Sequence, residues 1–580
     1  LFEFGGVVKI VTASCLIAAA LVATLPVACS SGSTGPELSS TAEEAFSGVL
    51  PSTLLPPDCT ALQLGWPSFG QNVCNTRSTP VAGLLGPKTA SKLKVKWTYS
   101  AAGDVSATPA VVDGDVYVPD WGGNMSRING LTGRPVWSIS VGALIGVPTP
   151  DAGAPDGGAP ADTPAPVVAR DTPVVTADSV IFGLIFGSLF GSQPVAYVVS
   201  IDRLTGALKW ATLVDSHPAA VVTSSPLLEN GKLYVGVSSA EESFSLIPDY
   251  PCCSFRGSVV SLDATTGKLL WKTYTIDDAT YFGDGGTLSG FAGAAVWSTP
   301  TLDRRRRSLY VTTGNNYVSP EGVVTLPPGD HTESIVSLDL DTGAVKWSQR
   351  MTEGDDFVIA DLFLTPPGGG PDWDFGSGAN LYRTQIGGKP QDVVGAGQKS
   401  GIYWAVDADS GSVLWKTPVG PGGHLGGIHW GTAVDSKHVY VGVNDQTGTS
   451  YMLQGTGPQA GQTTSVGSWA ALDPATGVVD WQVANPSMTV PAPGGASVNG
   501  PLSAANGVVF GGSMDAQGTM FAFDGATGAV LWSFASGGSV YGGPAIGADG
   551  TVYWGNGYPN AARLLFGTPG GKLYAFAVSP

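Results

Sequence analysis

The residues best able to do chemistry in this chain lie at positions that no internal repeat demands. They are Glu241 in Gly236-Val237-Ser238-Ser239-Ala240-Glu241, Trp297 eighteen residues before the Asn315 of Thr312-Thr313-Gly314-Asn315, Asp372 and Asp374 in Pro371-Asp372-Trp373-Asp374-Phe375-Gly376, and Lys399 in Gln398-Lys399-Ser400-Gly401. Carboxylate and amide oxygens together suit a hard cation such as Ca²⁺. An ionised Asp can take a proton from a substrate, and a Trp offers a flat face on which a planar group stacks. Each residue also has a plainer reading. Glu241 could be an ordinary surface carboxylate, Trp297 could pack in the core, and Asn315 could merely turn the chain.

Such residues need a rigid frame, and the frame is written as a repeat. An Asp or Asn is followed by Thr/Ser-Gly three and four residues on and by Trp eight residues on, in seven copies: Asn129 to Trp137, Asp202 to Trp210, Asp263 to Trp271, Asp339 to Trp347, Asp407 to Trp415, Asp473 to Trp481 and Asp524 to Trp532. Apolar strands flank each turn, as Val259-Val260-Ser261-Leu262 and Lys268-Leu269-Leu270-Trp271 do. The Asp accepts hydrogen bonds from the turn backbone and the Gly supplies a positive φ. A second hairpin, opening on a small residue and Pro, precedes most copies, as at Ser225-Pro226 and Thr299-Pro300. Two hairpins make a four-stranded blade, so eight first hairpins imply eight blades. The chain ends on Gly571-Lys572-Leu573-Tyr574-Ala575-Phe576 with no Trp strand after it, while Leu93-Lys94-Val95-Lys96-Trp97 supplies one at the other end. The expected fold is all-β: an eight-bladed β-propeller with tryptophan-docking repeats over residues 91–580, its ring closed by N- and C-terminal strands sharing a blade.

Composition bounds the rest. The 28 basic and 46 acidic residues give a net charge of -18, which argues against a nucleic-acid partner and favours a cationic one, such as a basic electron carrier. Residues 1–29, with Lys9, an apolar run from Ile10 to Ala28 and then Cys29, read as a signal peptide of the lipoprotein type. Pro26 stands where Leu is usual, so simple cleavage or a retained anchor stays open. Residues 30–90 read as a tether and N-terminal segment, and 147–166 as an Ala/Pro/Asp/Gly-rich surface insertion. The expected location is periplasmic or anchored to the outer membrane by lipid. Apart from Cys15 and Cys29, four cysteines remain, and an even count in an oxidising compartment suggests Cys59 with Cys74 and Cys252 with Cys253. For the adjacent pair, two buried thiols or a pairing between loops stays open. No Cys-x-x-Cys-His is present, so a covalent haem is not expected. His424 and His429-Trp430 sit in a Gly-rich loop that either lines a cavity or simply packs, and Arg304 to Arg307 reads as a solvated basic face.

The Asp-x-x-Thr-Gly-x-x-x-Trp phrase in eight blades, together with the non-repeated stretches, resembles the quinoprotein alcohol dehydrogenases, which bind pyrroloquinoline quinone (PQQ) and Ca²⁺ on the ring axis. The resemblance implies that Glu241, Asn315 and Asp374 serve Ca²⁺, that Thr223 and Ser238 touch the cofactor, and that Trp297 is its stacking floor. It makes Asp374 the catalytic base, with Asp372 as an alternative, and sets Lys399 against the quinone oxygens. The segment Pro251-Cys252-Cys253-Ser254-Phe255-Arg256-Gly257 and the entry Trp66-Pro67-Ser68-Phe69-Gly70-Gln71-Asn72 look most like the polyvinyl alcohol dehydrogenase branch. In methanol-type relatives an adjacent Cys pair near the chain start covers the second face of the quinone. Here the pair follows Glu241, so that role does not carry over, and a vicinal disulfide near the cofactor is the expectation. The implied activity is oxidation of alcohols, secondary and polymeric ones included, by hydride transfer to PQQ, with electrons passed to a periplasmic cytochrome or other carrier. The rival is a non-catalytic lipoprotein propeller scaffold of the outer-membrane assembly type, which gives no reason for this residue set.

Overall fold

Strands of alternating apolar residues, cut by Asp-Thr-Gly turns, fold here into eight four-stranded antiparallel sheets. The computed structural model describes residues 53–54, 56, 59, 65–147, 167–187, 194–282, 290–319, 325–363, 369–487, 497–558 and 567–579. The blades begin at the buried strands Ala110–Val112, Val174–Val175, Leu227–Glu229, Thr301–Asp303, Asn380–Ile386, Ala433–Val434, Ser503–Ala505 and Ala545–Ile546. They end at the more exposed strands Pro135–Ser140, Leu208–Leu213, Leu269–Tyr274, Val345–Arg350, Val413–Pro418, Val479–Ala484, Val530–Ala535 and Leu93–Ser100. The last strand comes from the opposite end of the chain. It pairs antiparallel with Lys572–Val578, Leu93 opposite Val578 and Ser100 opposite Lys572, and so closes the ring as expected. The eighth sheet thereby gains the outer strand onto which Trp532 of blade seven docks. The expected signal peptide at 1–29, and residues 148–166 of the insertion, lie outside the described residues.

Each repeat turn is held by its own Asp, or by Asn129 in the first copy. The Asp202 carboxylate accepts from the Thr205 backbone N–H and hydroxyl, both at 2.8 Å, and Gly206 N–H donates to the Asp202 carbonyl at 2.9 Å. Gly206 adopts φ 75°, the left-handed region that glycine enters without penalty. The Gly also makes room for docking: a Cβ on Gly267 would stand 2.5 Å from Cε3 of Trp210 in the preceding blade. In most blades the indole N–H reaches the next blade, as from Trp137 to the Arg203 carbonyl at 3.1 Å and from Trp481 to the Gly525 carbonyl at 3.0 Å. Trp532 bonds the Leu93 carbonyl at 3.0 Å and Trp97 the Gly130 carbonyl at 2.9 Å, which carries the docking through the shared blade to blade one.

Two segments are more integrated than their sequences suggest. Residues 65–79, grouped above with the tether, run across the inner strands of six blades. Trp66 exchanges backbone bonds with Val111, and the carbonyls of Pro67, Val73, Cys74, Thr76 and Arg77 accept from Val175, Leu302, Leu381, Val434 and Ala504. The Cys59–Cys74 disulfide ties this segment down. The basic run is not simply a solvated face: Arg306 bridges Asp303, Asp392 and Asp409 with its side chain only 11% exposed, and Arg304 pairs with Glu229. These partners belong to three successive blades, so the run straps them together. Arg305 and Arg307 keep the exposure expected of the whole run.

Candidate active site

The site grows from the loops that follow inner strands in blades three to five. Ser238 ends the strand Lys232–Ser239, and the one-turn helix Glu241–Phe244 comes directly after it. Asn315 follows the strand Ser308–Thr312, Asp374 precedes Gly376–Ser377, and Lys399 follows Lys389–Gly397. Backbone bonds lock these loops together, with Asn315 N–H to the Asp374 carboxylate at 2.7 Å and Lys399 N–H to the Asp374 carbonyl at 2.8 Å. Gly314 permits this approach, because a Cβ there would stand 2.4 Å from Asp374 Oδ1. The result is a cavity of about 210 Å³ whose walls include Thr223, Ser238, Glu242, Trp297, Asp374 and Lys399.

Its electrostatics centre on one buried ammonium. Lys399 Nζ donates to Asp372 and Asp374 at 2.7 Å each and lies 5.9 Å from the centre of the Trp297 ring. Burial pulls Lys399 down, but Asp372, Asp374 and Glu242 outweigh it and hold the ammonium well above its ordinary value. Oxygens of Glu242, Asp372 and Asp374 lie within 4.8 Å of one another, so three carboxylates share that one cation. Burial, then the charge of Asp374, pushes Glu242 up to about 8. Burial likewise pushes Asp355, which accepts from the backbone of Asp372 and Trp373, up to about 6. In both, the charge of Asp374 adds to the effect of burial. Beside this cluster Asn315 is fully buried, its amide NH₂ bonded to the carbonyls of Asn316 and Phe357, its Oδ1 without a donor.

The structure therefore brings Thr223, Ser238, Trp297, Asn315, Asp374 and Lys399 together, with Thr223 Oγ1 3.1 Å from Ser238 Oγ and bonded to the Trp297 carbonyl. Glu241 is different. Its buried carboxylate turns away to the Tyr250 hydroxyl and the backbone N–H groups of Ser254 and Phe255, and the neighbouring Glu242 faces the cluster instead. The placement expected for Glu241 is corrected by one residue, because consecutive helical side chains diverge by about 100°. Cys252 and Cys253 form the vicinal disulfide, but Cys253 packs against the apolar cluster of Ala295 and Tyr317, and neither cysteine is among the residues lining the cavity. His429 and Trp430 line it, whereas His424 stacks on Phe357 at 5.8 Å.

Sequence reasoning missed four residues here. The Glu241-Glu242 doublet and the acidic run Glu353 to Asp356 were visible signals for Glu242 and Asp355. Glu333, buried with one carboxyl oxygen unpaired and the other bonded by Gln398, had no motif. Arg170 stacks over Trp430 at 4.3 Å, next to a Tyr541–Tyr558 pair 3.9 Å apart, and a second cavity sharing Trp297 and Trp430 reaches it.

Comparison with known proteins agrees with this layout. The family described as glucose/ethanol/alcohol dehydrogenase, beta-propeller domain, matches residues 211–423, while the one described as outer membrane protein assembly factor BamB matches 88–235 and 465–576. The chain is 33% identical to a polyvinylalcohol dehydrogenase of Sphingopyxis sp. (strain 113P3), over 84% of its own length and 72% of that protein's. It is 31% identical to a polyvinylalcohol dehydrogenase of Pseudomonas sp, over 90% and 78%. The chain belongs to the PQQ-dependent quinoprotein alcohol dehydrogenase family. The fold of this quinoprotein is shared by the quinohemoprotein alcohol dehydrogenase of Comamonas testosteroni, with a TM-score of 0.63 at 21% identity over 89% of this chain and 81% of that one. The site residues from Thr223 to Lys399 fall within 211–423, the segment matched by the dehydrogenase model, while His429 and Trp430 of the cavity wall lie just beyond it. The BamB-type match overlaps that segment at Thr223 and also covers Tyr541 of the cavity wall.

Proposed function

We propose that this quinoprotein oxidises alcohols with bound PQQ and Ca²⁺, secondary alcohols and polyvinyl alcohol among them, and hands the electrons to a separate carrier such as a periplasmic cytochrome. One observation carries the reading: the unpaired, fully buried Oδ1 of Asn315 beside the Glu242-Asp372-Asp374 cluster. A buried acceptor without a donor is costly unless something else satisfies it, and amide and carboxylate oxygens together are a calcium donor set. Glu242, Asn315 and Asp374 would hold the ion. The cofactor fits the same place: Trp297 offers a face for its planar rings, Thr223 and Ser238 offer hydroxyls, and Lys399 and Arg170 offer positive charge to its carboxylates and quinone oxygens. When bound, PQQ accepts a hydride and Ca²⁺ supplies Lewis acidity.

The chain's own residues do the rest. In this reading Asp374 takes the hydroxyl proton at its carboxylate as the alcohol carbon gives up its hydride. Lys399, gripped by Asp372 as well, stays charged and in position while Asp374 is engaged with substrate. The names of the two relatives support the polymeric substrate, and the apolar N-terminal run supports export. The test is to add PQQ and Ca²⁺ to purified apoprotein and follow alcohol-dependent dye reduction with secondary alcohols and with polyvinyl alcohol. Dye reduction with both, abolished by EDTA, is expected. PQQ binding without turnover of any alcohol would refute the enzyme reading.

A further inference from the structure

We infer that Glu241 is a positioning residue, not a calcium ligand: it clamps the Cys252-Cys253 loop and thereby holds the adjacent Glu242 in the metal site. The inference rests on the calcium reading above. Its ground is the partition of two consecutive carboxylates. Glu241 is fully buried, one oxygen accepting from Tyr250 Oη at 2.8 Å and Ser254 N–H at 2.9 Å, the other from Phe255 N–H at 2.7 Å. His217 Nε2 approaches the first oxygen at 3.5 Å and stands 3.1 Å from Ser254 Oγ. Backbone N–H groups fix a carboxylate strongly because the acceptor is charged and the donors cannot rotate away. With these bonds made, Glu241 cannot turn toward Asp374 without orphaning buried donors.

Glu242 depends on this arrangement. Its helix, Glu241–Phe244, is a single turn, far below the length at which a helix holds itself. Anchors outside the helix must fix it. Ser239 Oγ bonds the Glu241 N–H at 3.2 Å, Ser245 Oγ bonds Ala360 N–H at 3.0 Å, and the Glu241 carboxylate reaches thirteen and fourteen residues on to the loop that the vicinal disulfide opens. Of these, only the Glu241 clamp joins the helix to the disulfide loop through a charged group. Groups that orient a metal ligand without touching the metal are worth about 10–100-fold in metal affinity.

The experiment titrates Ca²⁺ into the full chain, with saturating PQQ, by isothermal calorimetry, and records the melting temperature with and without Ca²⁺. Glu242→Gln is expected to remove Ca²⁺ binding. Glu241→Gln is expected to weaken it about 10–100-fold while leaving the residual complex formable at high Ca²⁺, and Tyr250→Phe, which removes one donor, to weaken it less. The graded series distinguishes positioning from ligation. Unchanged calcium affinity in Glu241→Gln overturns the inference. So does the converse pattern, in which Glu241→Gln abolishes binding and Glu242→Gln keeps it, since Glu241 would then be the ligand. If Glu241→Gln does not fold, Tyr250→Phe decides: wild-type affinity there overturns the clamp. A wild-type chain that binds PQQ but no Ca²⁺ refutes the calcium reading itself, an outcome distinct from failure of the clamp alone.

Discussion

Blades four and eight carry the same short phrase at the same place, Val311-Thr312-Thr313-Gly314-Asn315 and Val552-Tyr553-Trp554-Gly555-Asn556. Both asparagines are buried. Asn556 spends all its hydrogen-bonding capacity on the fold: its NH₂ bonds the Ser536 carbonyl at 2.8 Å, and its Oδ1 accepts from Lys572 N–H at 2.8 Å. Asn315 spends its NH₂ on the fold and leaves its Oδ1 unpaired, while its backbone N–H bonds Asp374 of the acid cluster. One phrase is thus a strut in one blade and, in another, ends on a buried acceptor that the proposed calcium site would use. What separates them lies in the partners: a strand backbone closes the strut, whereas Asp374 and Lys399 from the next blade surround the site.

The largest expected effect falls on the acid cluster. Asp374→Asn keeps the shape and the bond from Asn315 N–H, but removes the base, and kcat for alcohol oxidation is expected to fall about 10³-fold with PQQ still bound by spectroscopy. Retained turnover would move the base to Asp372. The paired asparagines come next. Asn556→Ala strands the Lys572 N–H, while the Ser536 carbonyl keeps the Tyr574 hydroxyl, and is expected to cost about 2 kcal/mol in urea unfolding, with calcium affinity unchanged. Asn315→Ala is expected to do the reverse, costing metal affinity above all in a calcium titration. Equal stability losses and no change in calcium affinity would erase the contrast.

The same comparison shows what the residues reveal before folding. The ring, its closure by Leu93 to Trp97 and the positions of Trp297, Asn315, Asp374 and Lys399 were legible because they rest on local phrases at fixed spacing. Glu242 was not. Which of two adjacent carboxylates faces inward was decided by donors at Tyr250, Ser254 and Phe255, and no spacing in the Glu-Glu doublet encodes them. The course of residues 65–79 was equally hidden, since its anchors lie hundreds of residues away, as in Asn75 to Ala379 and Arg77 to Leu502. Glu333 reached the site through tertiary placement alone.

A smaller effect separates the two regions by pH. His429 borders the acid cluster, and burial pushes its imidazole down to about 4. The unfolded chain binds a proton near pH 6.5 that the folded chain refuses, so this residue's contribution is intact above pH 6.5 and is lost as pH falls toward 4. At pH 5 the loss is about 2 kcal/mol. Asp355, raised to about 6, acts with the opposite sign, stabilising the fold as pH falls. Comparing His429→Asn with the parent isolates the histidine: the variant is expected to lose less stability between pH 7 and pH 5. Parallel melting curves would show that the imidazole titrates normally.

The smallest test uses two docking tryptophans in equivalent places whose indole N–H groups differ in having an acceptor. Trp137, in blade one, donates its indole N–H to the Arg203 carbonyl at 3.1 Å, while the buried N–H of Trp271, in blade three, has no acceptor. Both rings cover the Gly of the following repeat, Gly206 and Gly343. Replacement by Phe removes similar apolar area from each, so the packing losses nearly cancel in the difference. What remains is one hydrogen bond broken in Trp137→Phe and one unsatisfied donor removed in Trp271→Phe. Trp137→Phe is therefore expected to be the more destabilising by about 1–2 kcal/mol, read as a difference in urea midpoint at equal slope. The sign matters most: a larger loss at Trp271 would mean that blade three relies on that N–H, and that the site half of the ring is fastened by something other than the shared docking geometry.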